Sequence, residues 1–114
     1  MADAFRAQLV SCHRAGISVD FIVCPDIVQG GDRSLEFSMT WATGELLTAP
    51  RLALVVQDGM TRESVCYQHP ENWFTHLFVG GSVEWKWRTA RSWVNLAHSL
   101  GLKCHIGQVG TLAR

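Results

Sequence analysis

The chain has 114 residues, 47% apolar and 18% charged, and a formal net charge of zero. This is enough apolar material for one packed domain and too little charge for a disordered segment, yet it falls well short of the roughly 250 residues of a complete (β/α)₈ barrel. A balanced charge creates no global field for nucleic acid, so a polynucleotide contact would depend on a local cluster such as Lys86, Arg88 and Arg91.

Residues 4–15 place Phe5, Leu9, Val10 and Cys12-His13 at helical spacing, with Gly16 as a stop. Val19-Asp20-Phe21-Ile22-Val23-Cys24 then forms a nearly continuous apolar run, the pattern of a strand buried on both faces, and it ends at Pro25-Asp26. After Gly30-Gly31, Asp32 is expected to cap a helix whose apolar face holds Leu35, Phe37, Met39, Trp41, Ala42 and Leu46, with Pro50 closing the segment. Leu52-Ala53-Leu54-Val55-Val56 repeats the strand pattern and ends at Gln57-Asp58-Gly59. Over 60–75, Thr61 suits the cap of a short helix that Pro70 interrupts. His76-Leu77-Phe78-Val79 is a third strand, ending at Gly80-Gly81-Ser82. A helix over 84–99 follows, with Gly101 past its end, and Lys103-Cys104-His105-Ile106-Gly107 is the fourth strand. Apolar strands alternating with helices imply an α/β fold with a parallel sheet and right-handed crossovers.

Cys12, Cys24, Cys66 and Cys104 show no C-x-x-C spacing and sit among apolar neighbours, which fits reduced buried thiols better than zinc ligands or disulfides. No metal or cofactor is expected. Met1-Ala2-Asp3-Ala4-Phe5-Arg6 lacks a signal-peptide pattern, and no apolar run approaches the ~18 residues of a membrane span. A cytoplasmic protein without membrane contact is the expectation.

Ligands of parallel α/β folds bind beyond the carboxyl ends of the strands. Those ends offer Asp26, then Gln57 with Asp58, then Gly80-Gly81, then His105-Ile106-Gly107-Gln108. A carboxylate, an amide and bare backbone on one rim suit a flat polar heterocycle, although the same residues also serve as ordinary turn chemistry. Asp26 is therefore either a binding carboxylate or a turn cap, and Gln57 and Asp58 either binding or loop-bonding groups. His105, inside an apolar strand, fits a satisfied core histidine better than a catalytic base. Trp85 and Lys86 could stack on a base or hold a phosphate, or could form a solvated helix start.

The helix Ser34-Leu35-Glu36-Phe37-Ser38-Met39-Thr40-Trp41 resembles the Ser-Met-x-Leu-Ser-x-x-Trp helix of tRNA-guanine (queuine) transglycosylases. Val55-Val56-Gln57-Asp58-Gly59 is similar to that family's Ile-Val-Gln-Gly-Gly, Phe78-Val79-Gly80-Gly81 to its Ile-Gly-Gly, and Ile106-Gly107-Gln108-Val109-Gly110-Thr111 to its Met-Gly-Val-Gly-Thr. The four landmarks fall in the family's order over roughly residues 19–111. Gly80-Gly81-Ser82 with Trp85-Lys86, and the segment 105–109, look closer to the DNA-modifying and phage branch, which inserts 7-deazaguanine bases. The resemblance implies a four-stranded partial TIM barrel over 1–114, in which Asp26 reads the base edge, Gln57 gives an amide, and Gly80 and Gly81 give backbone contacts. It also implies a guanine or 7-deazaguanine ligand and a tRNA or DNA substrate. Val28-Gln29-Gly30-Gly31 spells the glutamine motif more literally, but it precedes the Ser-x-x-x-Ser-x-x-Trp helix, so order favours Gln57. Residues matching the family's two catalytic aspartates and its zinc subdomain are not found in this sequence. Base exchange needs a nucleophile at the sugar and an acid at the leaving base, so catalysis would require a partner subunit or a second copy. A non-catalytic base-binding or protein-interaction module is the alternative.

Overall fold

The structure, a computed structural model, describes residues 6–7 and 21–107. Most of the helix expected over 4–15 lies outside the described residues, as do Cys12 and the segment 108–114. Four strands form one parallel sheet in the order β1-β2-β3-β4: β1 (Ile22–Val23), β2 (Leu52–Val56), β3 (His76–Val79) and β4 (Lys103–Ile106). Between them run α1 (Asp32–Thr43), α2 (Arg62–Tyr67) with a 3₁₀ turn at Pro70–Asn72, and α3 (Val83–Ser99). Consecutive strands are neighbours throughout, and the register runs Val55↔Phe78↔His105 across the sheet.

The period of two along a strand sorts the side chains onto two faces. Leu52, Leu54 and Val56 of β2 and Leu77 and Val79 of β3 join Leu35, Trp41, Trp85, Trp93 and Leu96 from the helices in one core. The opposite face carries Ala53, Val55, Phe78 and His105. There Phe21 stacks on His76 at 4.4 Å, and His105 tilts against Phe78 at 5.0 Å. His105 is therefore exposed rather than enclosed in the core, because β4 alternates and only Cys104 and Ile106 turn toward the helices. Among the described residues neither β1 nor β4 has a strand on its outer side.

The helix ends follow local chemistry. Thr61 caps α2 through a reciprocal capping box with Ser64. Gly101, at φ +74°, ends α3 as its left-handed residue, while Leu102 N–H reaches back to the Ala97 carbonyl at 2.8 Å. Asp32 is the first residue of α1 rather than its cap; Gly31 occupies the cap position, with no side-chain hydrogen bond. Arg6 binds both carboxylate oxygens of Glu45 at 2.6 Å and lies over the Trp41 ring, tying the start of the chain to the region just beyond α1. Among the described residues no helix is long and apolar enough to cross a membrane.

Leu54 is fully buried at the centre of the sheet. Leu54→Ala is expected to cost about 2–5 kcal/mol, the usual range for truncating a core leucine, measured as a shift of the urea midpoint at unchanged slope.

Candidate functional site

The loops that follow β1, β2 and β3 leave the carboxyl ends of these strands on one rim and enclose a cleft of about 540 Å³ lined by Asp26, Val28, Gln29, Gln57, Asp58, Gly81 and Ser82. The loop that carries Asp26 is pinned on both sides by α1. Ser38 Oγ donates to the Pro25 carbonyl at 2.7 Å, and Ser34 Oγ accepts from the Ile27 N–H at 2.8 Å. Residues four apart share one helix face, which is what the Ser-x-x-x-Ser spacing accomplishes here. Both serines are fully buried.

Gln57 follows β2 directly and is 3% exposed. Its amide nitrogen donates to Asp26 Oδ2 and to Ser34 Oγ, each at 3.2 Å, and its oxygen accepts from the Gly30 N–H at 3.0 Å. Both amide protons and the carbonyl are thus used in joining the β1 and β2 loops. Gln57 therefore fixes Asp26 in place and has no proton left for a ligand. Asp26 is half-buried, and burial raises its carboxyl pKa above the ordinary 3.8 against the lowering effect of its own backbone N–H. Gln57 is the only side chain among the described residues that hydrogen-bonds it.

Asp58 has a different assignment. Its Oδ1 accepts from the Ser82 N–H and its Oδ2 from the Ser82 hydroxyl, both at 2.7 Å, while Ser82 Oγ caps α3 by accepting from Trp85 N–H. Slight burial pushes its pKa up, but the Ser82 hydroxyl and backbone bonds outweigh this and hold it below 3.8. Gly81, at φ +81°, lies against this pair: a Cβ there would sit 2.4 Å from Asp58 Oδ1. Glycine is required by space and by backbone conformation alike.

The glycine pair divides. Gly80 N–H is bonded to the Val56 carbonyl at 2.8 Å, extending the ladder, whereas Gly81 N–H has no partner among the described residues and belongs to the cleft lining. Gln29, the residue that motif order argued against, lines the cleft. Its amide makes no hydrogen bond among the described residues, and its backbone is left-handed at φ 59°. Val28 beside it is 80% exposed, an apolar surface at the mouth. Gln29, Val28, Ser34 and Ser82 were the cleft and frame residues that sequence order did not single out. The glutamine motif at 28–31 was the available signal for two of them.

Other candidates lie elsewhere. Trp85 is 7% exposed, packed against Trp93 with ring centres 5.8 Å apart, and Lys86 is likewise buried. Neither lines the cleft, so the Trp85 ring is core rather than a stacking platform. His105 sits on the sheet face away from the helices, also outside the cleft lining. Cys24 donates to the Ser38 carbonyl, and burial pushes its thiol up to about 12, which removes it as a nucleophile near neutral pH. Among the described residues no group of three His, Cys, Asp or Glu side chains could hold a metal ion.

Comparison with known protein families, curated proteins and solved structures returns no match.

The two carboxylates have opposite linkage signs. The raised pKa of Asp26 means its stabilising contribution is complete below 3.8 and is lost as pH rises through its folded value. The lowered pKa of Asp58 gives a contribution present above 3.8 and lost as pH falls through its folded value. Measured by urea denaturation across this range, wild type should lose stability relative to Asp26→Asn as pH rises. Relative to Asp58→Asn it should lose stability as pH falls. Slopes of the same sign would contradict the assignment.

Proposed function

We propose that this chain recognises a guanine or 7-deazaguanine-type base and forms the base-reading part of a transglycosylase-like (β/α) barrel. The observation that carries this reading is Asp26, a half-buried carboxylate held at the cleft by the buried amide of Gln57. A carboxylate accepts from adjacent ring and exocyclic N–H groups, the donor edge that guanine and its 7-deaza analogues share. In this reading Gln29 supplies the unengaged amide, Gly81 N–H a backbone donor, and Val28 an apolar surface against the ring. Gln57 and Ser34 position Asp26 and do not touch the base.

The strand order supports the barrel half. Strands in sequential parallel order with a packed core on the helix face are what one half of a closed barrel requires, and among the described residues the two outer edges carry no further strand. Base exchange into tRNA or DNA would need an attacking carboxylate, which we assign to a second copy or a partner subunit. The second reading, a binding module without catalysis, is favoured by Asp58: the other carboxylate of the cleft is clamped on both oxygens by Ser82 and is a poor nucleophile.

Calorimetric titration with 7-deazaguanine should give one site per chain. Asp26→Asn should weaken it by at least about tenfold, from the loss of a charge-assisted hydrogen bond of roughly 1.5–3 kcal/mol. Isotope-labelled base exchange into tRNA or DNA separates the two readings: exchange abolished by Asp26→Asn supports the enzyme, and binding without exchange supports the module. Absence of binding contradicts both.

A further inference from the structure

We infer that Asp58 makes the cleft a charge filter that admits neutral or cationic heterocycles and rejects anionic ones, which narrows the ligand to a free base or nucleoside and excludes a 5′-monophosphate. The inference rests on the proposed reading of this cleft as a base site, in the form of a binding module for free ligands, because a base within tRNA or DNA carries the phosphates that the filter rejects. The lining contains two carboxylates, Asp26 and Asp58, and no lysine, arginine or histidine. Arg88 acts electrostatically on Asp58, but it is largely exposed, lies 4.0 Å from Glu84 and does not line the cleft.

The filter is built into the loop and is more than an excess of acid. α3 is 17 residues long, and its N-terminus opens on the cleft through Ser82. The positive end of such a helix ordinarily favours a phosphate. Here the chain's own anion holds that place: Asp58 takes both the N–H and the hydroxyl of Ser82 at 2.7 Å. Gly81 has no room for a Cβ against the same carboxylate, so the turn is shaped around it. A phosphate arriving at this end would meet a fixed negative charge where its donors should be, and would have to displace two short hydrogen bonds. A neutral ring meets no such cost, and one bearing a protonated amine is attracted by both carboxylates.

The test uses the full chain and follows the Gly81 and Ser82 amide resonances during titration with guanosine and with guanosine 5′-monophosphate, which present the same ring. Wild type should bind guanosine at least tenfold more tightly than the monophosphate. Asp58→Asn, which keeps an acceptor for Ser82 N–H, should shift the ratio at least tenfold toward the monophosphate. Equal affinities in wild type, or an unchanged ratio in the variant, would overturn the filter. If neither guanosine nor 7-deazaguanine binds, the base reading fails, and methylguanidinium and inorganic phosphate then decide the filter alone. Methylguanidinium shifting both resonances while phosphate leaves them in place sustains it. A shift with phosphate, or with neither probe, overturns it.

Discussion

The side-chain amide of Gln57 is the interaction on which the cleft depends. It leaves the end of β2 and crosses to the β1 loop and the start of α1, where it donates both amide protons, to Asp26 and Ser34, and accepts the Gly30 N–H. A buried amide left unpaired is costly, so the two loops are tied together by the requirement that this group be satisfied. The same bonds orient the Asp26 carboxylate. Ser34 is the common node, since it also accepts from Ile27 N–H and sits one helical turn from the serine that holds the Pro25 carbonyl. Loop position, helix spacing and carboxylate orientation thus form one connected network.

A second tie, Asp58 to Ser82, joins the β2 loop to the start of α3. The two adjacent residues Gln57 and Asp58 therefore reach in opposite directions, each to the neighbouring loop. The cleft lies between the two ties, and what it offers a ligand is what they leave over: one face of Asp26, the Gln29 amide, the Gly81 N–H and the side chain of Val28. Under the proposed reading, recognition uses these residual groups while the residues most conspicuous in sequence serve as frame.

The strands β2 and β3, the helix α3 and its glycine stop are legible in the sequence, because a short apolar run bounded by turn residues and an amphipathic run ended by glycine each encode one local solution. The parallel α/β arrangement follows from their alternation. Side-chain roles were less legible. Order along the chain pointed to Gln57 over Gln29 as the contact residue, yet a hydrogen-bond network spanning three elements has no periodicity to read, and Gln57 proves to donate both amide protons within it. Trp85 and Lys86 fitted a base-stacking or phosphate-holding pair as well as a solvated helix start, but the rotation of α3 turns both inward. His105 looked enclosed because its neighbours are apolar, whereas the alternation of the edge strand β4 leaves its side chain exposed. Asp32 looked like a helix cap, but Gly31 takes that position with the left-handed backbone a glycine permits.

The central claim is that Gln57 holds Asp26 and that Asp26 meets the ligand. Nuclear magnetic resonance of the Gln57 side-chain amide alongside the Asp26 carboxyl carbon tests it directly. Both Gln57 amide protons should exchange slowly with water and respond to the titration of Asp26. Adding 7-deazaguanine should move the Asp26 carbon while leaving the Gln57 protons protected. Rapidly exchanging Gln57 protons, or a ligand-induced shift at Gln57 with none at Asp26, would contradict the account.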